Sequence, residues 1–314
     1  MPVEQEKPLS ILAYTDGTKQ SIDAVRSGLR LAVATGGALD IIHATDIPVE
    51  TEISEDSPHI GEPVPRESWP ELPQGLHHLA LDVLDWIVEE NLCPEPEELE
   101  IRHYGTGLRR IRLEESKIPI RLWLAYTSPN EALTTLVKEN ESDLVIIRGE
   151  ETSLLKRLLG HNLAEAVAIN LPTNILVIRG AVYPNTPFVI ASDGSESSQR
   201  TFGILRKLLP AIENPIDMIV KENADTQNLQ TWLASHNLKG NVMTHESAEN
   251  EHATTPLNQI IEKIPENCVL VLGASMRNFI LRTFTSSLPL ALVRSAPFSV
   301  LISKELPDKA DEEI

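Results

Sequence analysis

Short runs of aliphatic residues alternate along the chain with stretches of helical periodicity. In the first half, the aliphatic runs lie at 11–15, 39–44, 122–125, 143–148 and 174–178. Between them, as in 22–34 and 76–90, apolar residues recur at the three- and four-residue spacing of a helix. Strands that alternate with helices indicate a parallel sheet with right-handed crossovers. The pattern therefore predicts an α/β fold.

The second half of the chain repeats this order. Its aliphatic runs lie at 188–192, 216–220, 241–244, 269–272 and 298–303, with helical stretches between them. We therefore predict two tandem α/β domains of five strands each, at 1–181 and 186–306. The acidic tail, 307–314, is predicted to be disordered.

The first strand of each half ends in the same short motif. SILAYTDGTKQS at 10–21 is matched by PFVIASDGSESS at 187–198, which places Asp16 against Asp193. A carboxylate, a glycine and a hydroxyl at this end of a strand lie where open α/β sheets bind ligands. The same residues can instead simply turn the chain and cap the next helix. For a single copy of the motif, a ligand site and a structural turn are about equally well supported. Two copies in matching places favour one ancestral domain, duplicated.

Two segments interrupt the repeat in the first half. Residues 46–75 are rich in proline and acidic residues, which predicts a long surface loop. Residues 101–121 carry seven Arg, Lys or His side chains against two acidic ones, and 104–107 predict a hairpin turn. One interpretation of this basic insertion is a binding site for an anion or a partner. The other, which is favoured, is that its positive charges balance the acidic loop.

Charge and composition narrow the classes of function. A formal net charge of −19 argues against binding to nucleic acid or to anionic membranes. No apolar run reaches the roughly 18–20 residues of a membrane span, and no signal-peptide core is found at the N-terminus. Two cysteines are too few for a disulfide framework or a metal site, which predicts a cytoplasmic protein without metal. We expect Cys93 in a solvated loop and Cys268 in the core.

Taken in order, these residues resemble the universal stress protein family over about 9–180 and 186–304. The resemblance rests on strand-Asp-Gly-Ser/Thr at 11–18 and 188–195, on a glycine after the fourth strand of each half, and on the closing segments 171–178 and 296–302. It implies doubly wound, Rossmann-like sheets of strand order 3-2-1-4-5, related by a pseudo-twofold. The two closing strands are then expected to face each other.

Some members of that family bind ATP through a glycine-rich loop after the fourth strand, with the aspartate after the first strand near the adenine. Glycine amides and a helix N-terminus are suited to hold phosphate. The resemblance therefore implies a set of candidate nucleotide-binding residues, which is Asp16, Gly149, Gly160, Asp193, Gly273, Ser286 and Ser287.

Both loops depart from the family's pattern. In the second half, Met276 and Ser286 stand where glycines are expected. In the first half, Thr152 and His161 do so, and the loop is one residue short. Losing two amide contacts to a charged ligand costs roughly 10²- to 10⁴-fold in affinity. We therefore expect ATP, or another adenine nucleotide, to bind weakly or not at all.

Motifs for catalysis are missing from the sequence. It contains no Gly-x-Ser-x-Gly elbow, no Walker loop and no Cys/His metal spacing. His43, at a strand end, is interpreted as a core-edge residue rather than a base.

The leading hypothesis is a non-catalytic stress or regulatory protein that acts on a protein partner, built as an intramolecular pseudo-dimer with further dimerisation left open. Two alternatives remain. One is an adenine-nucleotide sensor in which Arg148 or Arg277 replaces the lost amides, although ordinary solvation of these arginines is favoured. The other is a low-turnover nucleotide hydrolase that depends on Asp16 or Asp193.

Overall fold

The chain divides into two compact units, Met1–Ile147 and Arg148–Ile314, which are described separately. The structure is a computed structural model. It describes residues 7–45, 63–72, 74–104, 108–113, 116–149, 163–192, 201–221, 231, 234, 242–245, 264–273, 292–294 and 296–304.

The first unit contains both parallel and antiparallel strands. The described strands are β1 (Ser10–Thr15), β2 (Ala38–Ala44), β3 (Pro63–Pro65), β4 (Glu98–Tyr104), β5 (Leu108–Arg112), β6 (Ile120–Ala125) and β7 (Leu144–Arg148). The described helices are α1 (Ile22–Thr35), a 3-10 helix (Arg66–Glu71), α2 (Gln74–His77), a π-helical segment (His78–Leu84), α3 (Asp85–Glu89) and α4 (Pro129–Asn140). Because α2, the π segment and α3 follow one another without a break, we call them together the 74–89 helix.

The centre of the first unit is a parallel sheet in the order β7-β1-β2-β6. Every residue of β1 is buried, as expected for a strand covered on both faces. Helix α1 approaches this sheet closely, since a Cβ built on Gly28 would lie 2.9 Å from Leu39 Cδ1. Helix α4 begins at Ser128, whose hydroxyl accepts from Glu131 N, with Pro129 in its first turn.

Three antiparallel strands extend this sheet beyond β6, in the order β5-β4-β3. Strands β4 and β5 pair on either side of residues 105–107, so the hairpin expected in the basic insertion is confirmed. Strand β3 contains Pro63 and Pro65, which have no N–H to offer a further strand. The prolines therefore protect this side of the sheet against edge-to-edge pairing.

The prediction of a surface loop over 46–75 is wrong for its second part, while 46–62 lie outside the described residues. Val64, Trp69 and Leu72 are all buried, and Trp69 Nε1 donates to Val64 O at 3.2 Å. Proline and acidic residues dominate the composition of the segment, and composition alone does not reveal that these three apolar side chains are buried in the core. Cys93 is also buried, in contrast to the solvated thiol that we expected.

In the second unit, the described strands are β8 (Asn174–Ile178), β9 (Phe188–Ser192), β10 (Ile216–Lys221), β11 (Val242–His245), β12 (Val269–Gly273) and β13 (Ser299–Ser303). The described helices are α5 (Leu163–Asn170), α6 (Thr201–Leu208) and a 3-10 helix (Leu209–Ala211). Strands β11-β10-β9-β12-β13 are parallel neighbours in that order, and β8 joins β13 antiparallel.

The closing strands β8 and β13 pair directly, as expected. Their register sets Leu176 opposite Leu301, which are equivalent residues of the two closing segments. The α/β class with a largely parallel sheet is confirmed. The domain bounds at 1–181 and 186–306 and the pseudo-twofold of whole domains stay predictions. The tail at 307–314 lies outside the described residues.

Candidate functional site at the carboxyl end of the first strand

The predicted site residues are distributed over both units. Asp16, in the first unit, and Gly149 and Gly273, in the second, are described. The other predicted site residues lie outside the described residues; they are Gly160, Asp193, Ser286 and Ser287. Arg277, one of the two arginines of the sensor alternative, lies outside them too.

Asp16 uses its carboxylate to close its own turn. Asp16 Oδ1 accepts from Thr18 N at 2.9 Å and from Thr18 Oγ1 at 2.6 Å. Gly17 supplies the left-handed backbone of the turn, with φ of 82°. Burial raises the pKa of the Asp16 carboxyl, but hydrogen bonds from Thr18, Ser21 and the Asp16 backbone together outweigh it and hold that pKa below its ordinary value. The turn-and-cap interpretation therefore accounts for the described contacts of Asp16.

Two buried hydroxyls lie beneath this turn. Thr15 Oγ1 and Ser21 Oγ are 2.9 Å apart. Gly17 N donates to Thr15 Oγ1 at 3.3 Å, and Asp16 N donates to Ser21 Oγ at 3.2 Å. Ser21 Oγ in turn donates to Thr18 O at 2.9 Å. The hydroxyls thereby satisfy backbone groups that leave the sheet before α1 begins.

Two buried histidines that lie next to each other both bond to Thr15. His43, on β2, has its Nδ1 3.0 Å from Thr15 O, and His78, on the 74–89 helix, has its Nε2 3.0 Å from Thr15 Oγ1. The ring centroids are 5.2 Å apart. His43 Nδ1 carries a hydrogen, because a carbonyl oxygen only accepts. Burial lowers the pKa of His43 and the neighbouring His78 lowers it further, against the opposing effect of the Thr15 hydrogen bond. The interpretation of His43 as a core-edge residue is confirmed.

His78 and its partner Asp82 were missed by the sequence analysis. His78 Nδ1 lies 2.8 Å from Asp82 Oδ2, one helical turn away. A histidine followed four residues later by an aspartate within an apolar helical stretch is the sequence signal that points to this pair.

Asp82, His78 and Thr15 form an acid–imidazole–hydroxyl series, as in a catalytic triad. Thr15 is 0% exposed, however, so its hydroxyl cannot reach a substrate. The Asp82 side chain is 63% exposed, so the series joins solvent to a buried hydroxyl pair. The series therefore presents no nucleophile to a substrate.

Gly149 is required by a close contact with Arg179. A Cβ at position 149 would lie 2.0 Å from Arg179 Nη1 and 2.5 Å from its Cζ. The guanidinium is fixed, because its Nε donates to Ala296 O at 3.1 Å and its Nη2 to Val293 O at 2.6 Å. Gly149 N donates to Ile178 O at 2.9 Å. Both the amide and the α-carbon of Gly149 are therefore occupied within the protein.

Gly273 is the last residue of β12, and it lies opposite Ser303 of β13 in the sheet register. Arg148 is half-buried and takes part in at least one polar or electrostatic interaction.

Two arginines of the basic insertion, Arg102 and Arg121, bond to carboxylates outside the acidic loop. Arg102 Nε donates to Glu100 Oε1 at 2.6 Å, within the same strand. Arg121 donates through Nε and Nη2, both at 2.6 Å, to the fully buried carboxylate of Asp40 on β2. Charge balance against the acidic loop is therefore wrong for these two arginines.

Two further arginines of this insertion, Arg109 and Arg110, lie over aromatic rings. The Cζ of Arg110 lies 4.5 Å from the ring centroid of Tyr104 and 5.7 Å from that of Trp123. Arg109 is buried, with its Cζ 5.1 Å from the ring centroid of Tyr126. These contacts hold the guanidinium groups against the antiparallel extension.

The fold and this crevice define a Rossmann-like α/β protein. The family model described as the universal stress protein family matches residues 9–179, more than half of the 314-residue chain. The chain belongs to the universal stress protein family.

Solved structures of universal stress proteins and of other chains have a similar fold. A universal stress protein from Archaeoglobus fulgidus is 12% identical, with a TM-score of 0.56, over 96% of this chain and 98% of its own. A functionally unknown protein from Pseudomonas aeruginosa is 11% identical, with a TM-score of 0.58, over 93% of this chain and 91% of its own. No curated protein matches the chain.

Within the described residues, no helix has the length and apolar character needed to cross a bilayer. The same part of the chain contains no group of three or more His, Cys, Asp or Glu arranged to hold a metal ion.

Proposed function

We propose that this chain is a non-catalytic stress-response protein that acts in the cytoplasm by binding a protein partner, and that it binds ATP weakly or not at all. Membership of the universal stress protein family supports the role in stress response. The contacts of Gly149 and Asp16 support weak or absent binding of ATP.

Gly149 carries most weight in this argument. A glycine serves a phosphate site when its amide and its bare α-carbon are open to the ligand. Here the amide donates to Ile178 O and the α-carbon lies under the Arg179 guanidinium. A phosphate at Gly149 would have to displace a sheet hydrogen bond and an arginine that holds two backbone carbonyls.

Asp16 gives a second, independent support. Its Oδ1 is already bonded to the backbone and the side chain of Thr18. Reorienting the carboxylate toward a ligand would break both hydrogen bonds and open the turn before α1. The network therefore favours a structural role for Asp16 over a nucleotide contact.

The experiment is to denature freshly purified protein, analyse the released small molecules by chromatography, and titrate the emptied protein with ATP by calorimetry. We expect no stoichiometric nucleotide and no binding heat up to millimolar ATP. Arg179→Ala, which clears the space over Gly149, serves as the matched variant. Stoichiometric adenine nucleotide from the natural protein, or ATP turnover at an enzyme-like rate, would refute the proposal.

The partner surface that we favour is the hairpin of β4 and β5. Tyr104 is 40% exposed there, beside Arg102, whose side chain is 48% exposed. Exposed aromatic and arginine side chains are typical of interface centres. Tyr104→Ala should reduce recovery of co-purified partner in a pull-down, whereas Val33→Ala, at an exposed residue on α1, should not.

A further inference from the structure

We infer that His43 and His78 form an acid-sensitive latch that holds the 74–89 helix against the carboxyl end of β1. This inference does not depend on the proposed function. It rests on the fact that two buried imidazoles from separate elements are bonded to the same residue, Thr15.

At neutral pH each histidine hydrogen bond of the latch has one donor and one acceptor, although Thr15 Oγ1 and Ser21 Oγ then share no hydrogen, because Ser21 Oγ donates to Thr18 O. His78 Nδ1 donates to the Asp82 carboxylate, so neutral His78 Nε2 accepts the hydrogen of Thr15 Oγ1. His43 Nδ1 donates to Thr15 O. One residue at the end of β1 thus ties β2 and the 74–89 helix together through its backbone and its side chain.

Acid changes the two histidines differently. The contact at His78 Nε2 fits a hydrogen on either atom, because Thr15 Oγ1 can also accept from the ring and donate to Ser21 Oγ instead. A second proton on His43 belongs on Nε2, since Nδ1 already carries one. The described residues offer no hydrogen-bond acceptor to His43 Nε2, and burial together with His78 outweighs the two groups that favour the charged ring, Thr15 O and Asp16.

The surroundings of His43 Nε2 are two glycines. A Cβ on Gly17 would lie 3.5 Å from His43 Cε1, and one on Gly75 would lie 3.3 Å from His43 Cδ2. These carbons flank Nε2 in the ring. Gly75 lies in the first turn of the 74–89 helix, so a rotation of the charged ring toward water would displace the start of that helix.

The charged groups that face the latch do not compensate both positive charges. From the turn after β1, Asp16 faces His43 and favours its charged form, while His78 on the helix disfavours it. His78 itself faces His43 across 5.2 Å and Asp82 on its own helix. With Asp82 largely exposed, the two imidazolium charges repel each other in the more buried part of the site.

The helix that carries His78 is suited to move. His78 is the first residue of a π-helical segment, His78–Leu84, and seven residues is long for a geometry that is found mostly as single-turn bulges. Such segments are frequent at functional sites. The latch therefore acts on an element with a neighbouring alternative, a regular α-helix.

The test is hydrogen–deuterium exchange of the full chain at pH 7 and pH 5, corrected for intrinsic exchange rates. We expect opening of the 74–89 helix, relative to α4, to rise about tenfold, which lies within the roughly hundredfold limit that a single linked proton sets over two pH units. His43→Gln and His78→Gln should each abolish this rise. His77→Gln, next to the latch on the same helix, should leave it intact.

A proton NMR titration of the natural protein covers the case in which these variants fail to fold. We expect the His43 ring to titrate below the ordinary histidine value, together with a change in the signals of the 74–89 helix. The latch would be overturned if the 74–89 helix and α4 showed the same change in exchange between pH 7 and pH 5. A His43 ring that titrates without moving the helix, or folded variants that keep the pH dependence, would overturn it too.

Discussion

Arg179 and Lys304 each follow one of the two closing strands, and each bonds a backbone carbonyl that precedes the other strand. Arg179 Nε donates to Ala296 O at 3.1 Å, and Lys304 Nζ donates to Leu171 O at 2.6 Å. Ala296 and Leu171 are equivalent, because each immediately precedes the proline of its closing segment. The contact is therefore reciprocal.

Backbone amides at the same positions repeat this reciprocity. Arg179 N donates to Ser299 Oγ at 3.1 Å, and Lys304 N donates to Asn174 Oδ1 at 2.9 Å. Ser299 and Asn174 are the first residues of β13 and β8. A local twofold arrangement thus surrounds the β8–β13 pair, although the two cations differ in chemistry, since only the lysine can lose its charge near neutral pH.

The charge of Lys304 makes stability depend on pH. Burial lowers the pKa of Lys304 from 10.5 to about 8. Between these values the unfolded chain binds more protons than the folded one, so the free energy of unfolding rises with pH in this window. Relative to Lys304→Met, the natural protein should gain up to about 3 kcal/mol between pH 7 and pH 10.5.

Urea unfolding at several pH values measures this difference. Lys7→Met is the control, because Lys7 is mostly exposed and pairs with Glu141 at the surface. A difference between natural protein and Lys304→Met that stays constant from pH 7 to pH 10.5 would show that Lys304 keeps its ordinary titration in the fold.

Gly149→Ala should destabilise the second unit by about 1–3 kcal/mol, because the new methyl group displaces the Arg179 guanidinium from its two carbonyls. In an Arg179→Ala background the same change should cost much less, and a double-mutant cycle by chemical denaturation measures the coupling.

Gly203→Ala provides the matched control for this cycle. Gly203 lies in α6 with open space around the added methyl, so alanine should stabilise the helix by roughly 0.5–1 kcal/mol. Equal costs of Gly149→Ala in both backgrounds would mean that Arg179 does not determine the need for glycine.

Arg121→Met should destabilise the first unit by about 3–5 kcal/mol, since it leaves the buried Asp40 carboxylate without its cation. Burial already raises the pKa of Asp40, against the opposing hydrogen bonds from Trp123 and Arg121. A raised carboxyl pKa means that stability falls as pH rises. The cost of Arg121→Met should therefore be larger at pH 8 than at pH 5, as measured by urea unfolding.

An exposed arginine of the same sheet serves as the comparison for Arg121. Arg102 pairs with Glu100 at the surface, where both side chains are more than a third exposed, so Arg102→Met should cost about 1 kcal/mol or less. If Arg102→Met and Arg121→Met were equally harmful, burial of Asp40 would not explain the effect.

Sequence patterns were informative where one segment determines its own structure. The run LVIIR could be assigned as a strand because it is continuously aliphatic, and β7 (Leu144–Arg148) begins within one residue of the predicted start. The Asp16 motif was located correctly, and its turn-and-cap interpretation accounts for the described contacts. What the sequence did not show were partners distant along the chain, such as Asp40 with Arg121 or Gly149 with Arg179.

His78 shows why those contacts are hard to infer. Its periodicity places it on the apolar side of a helix, but the partner that it finds there, Thr15, lies at the end of another element. Which polar groups meet depends on how the 74–89 helix is seated, and the π segment alters that seating locally. Local spacing identifies the His78–Asp82 pair, whereas only the tertiary fold brings Thr15 to it.

Thr15→Val tests whether this buried hydroxyl organises the end of β1. Valine keeps the shape of threonine but leaves Gly17 N and His78 Nε2 without the partner they now have. Unsatisfied buried groups of this kind cost about 1–3 kcal/mol, so the first unit should lose that much stability in urea unfolding. Thr18→Val, at an exposed residue of the same turn, should lose less and should raise the pKa of Asp16. A Thr15→Val variant as stable as the natural protein would mean that neither group depends on the hydroxyl.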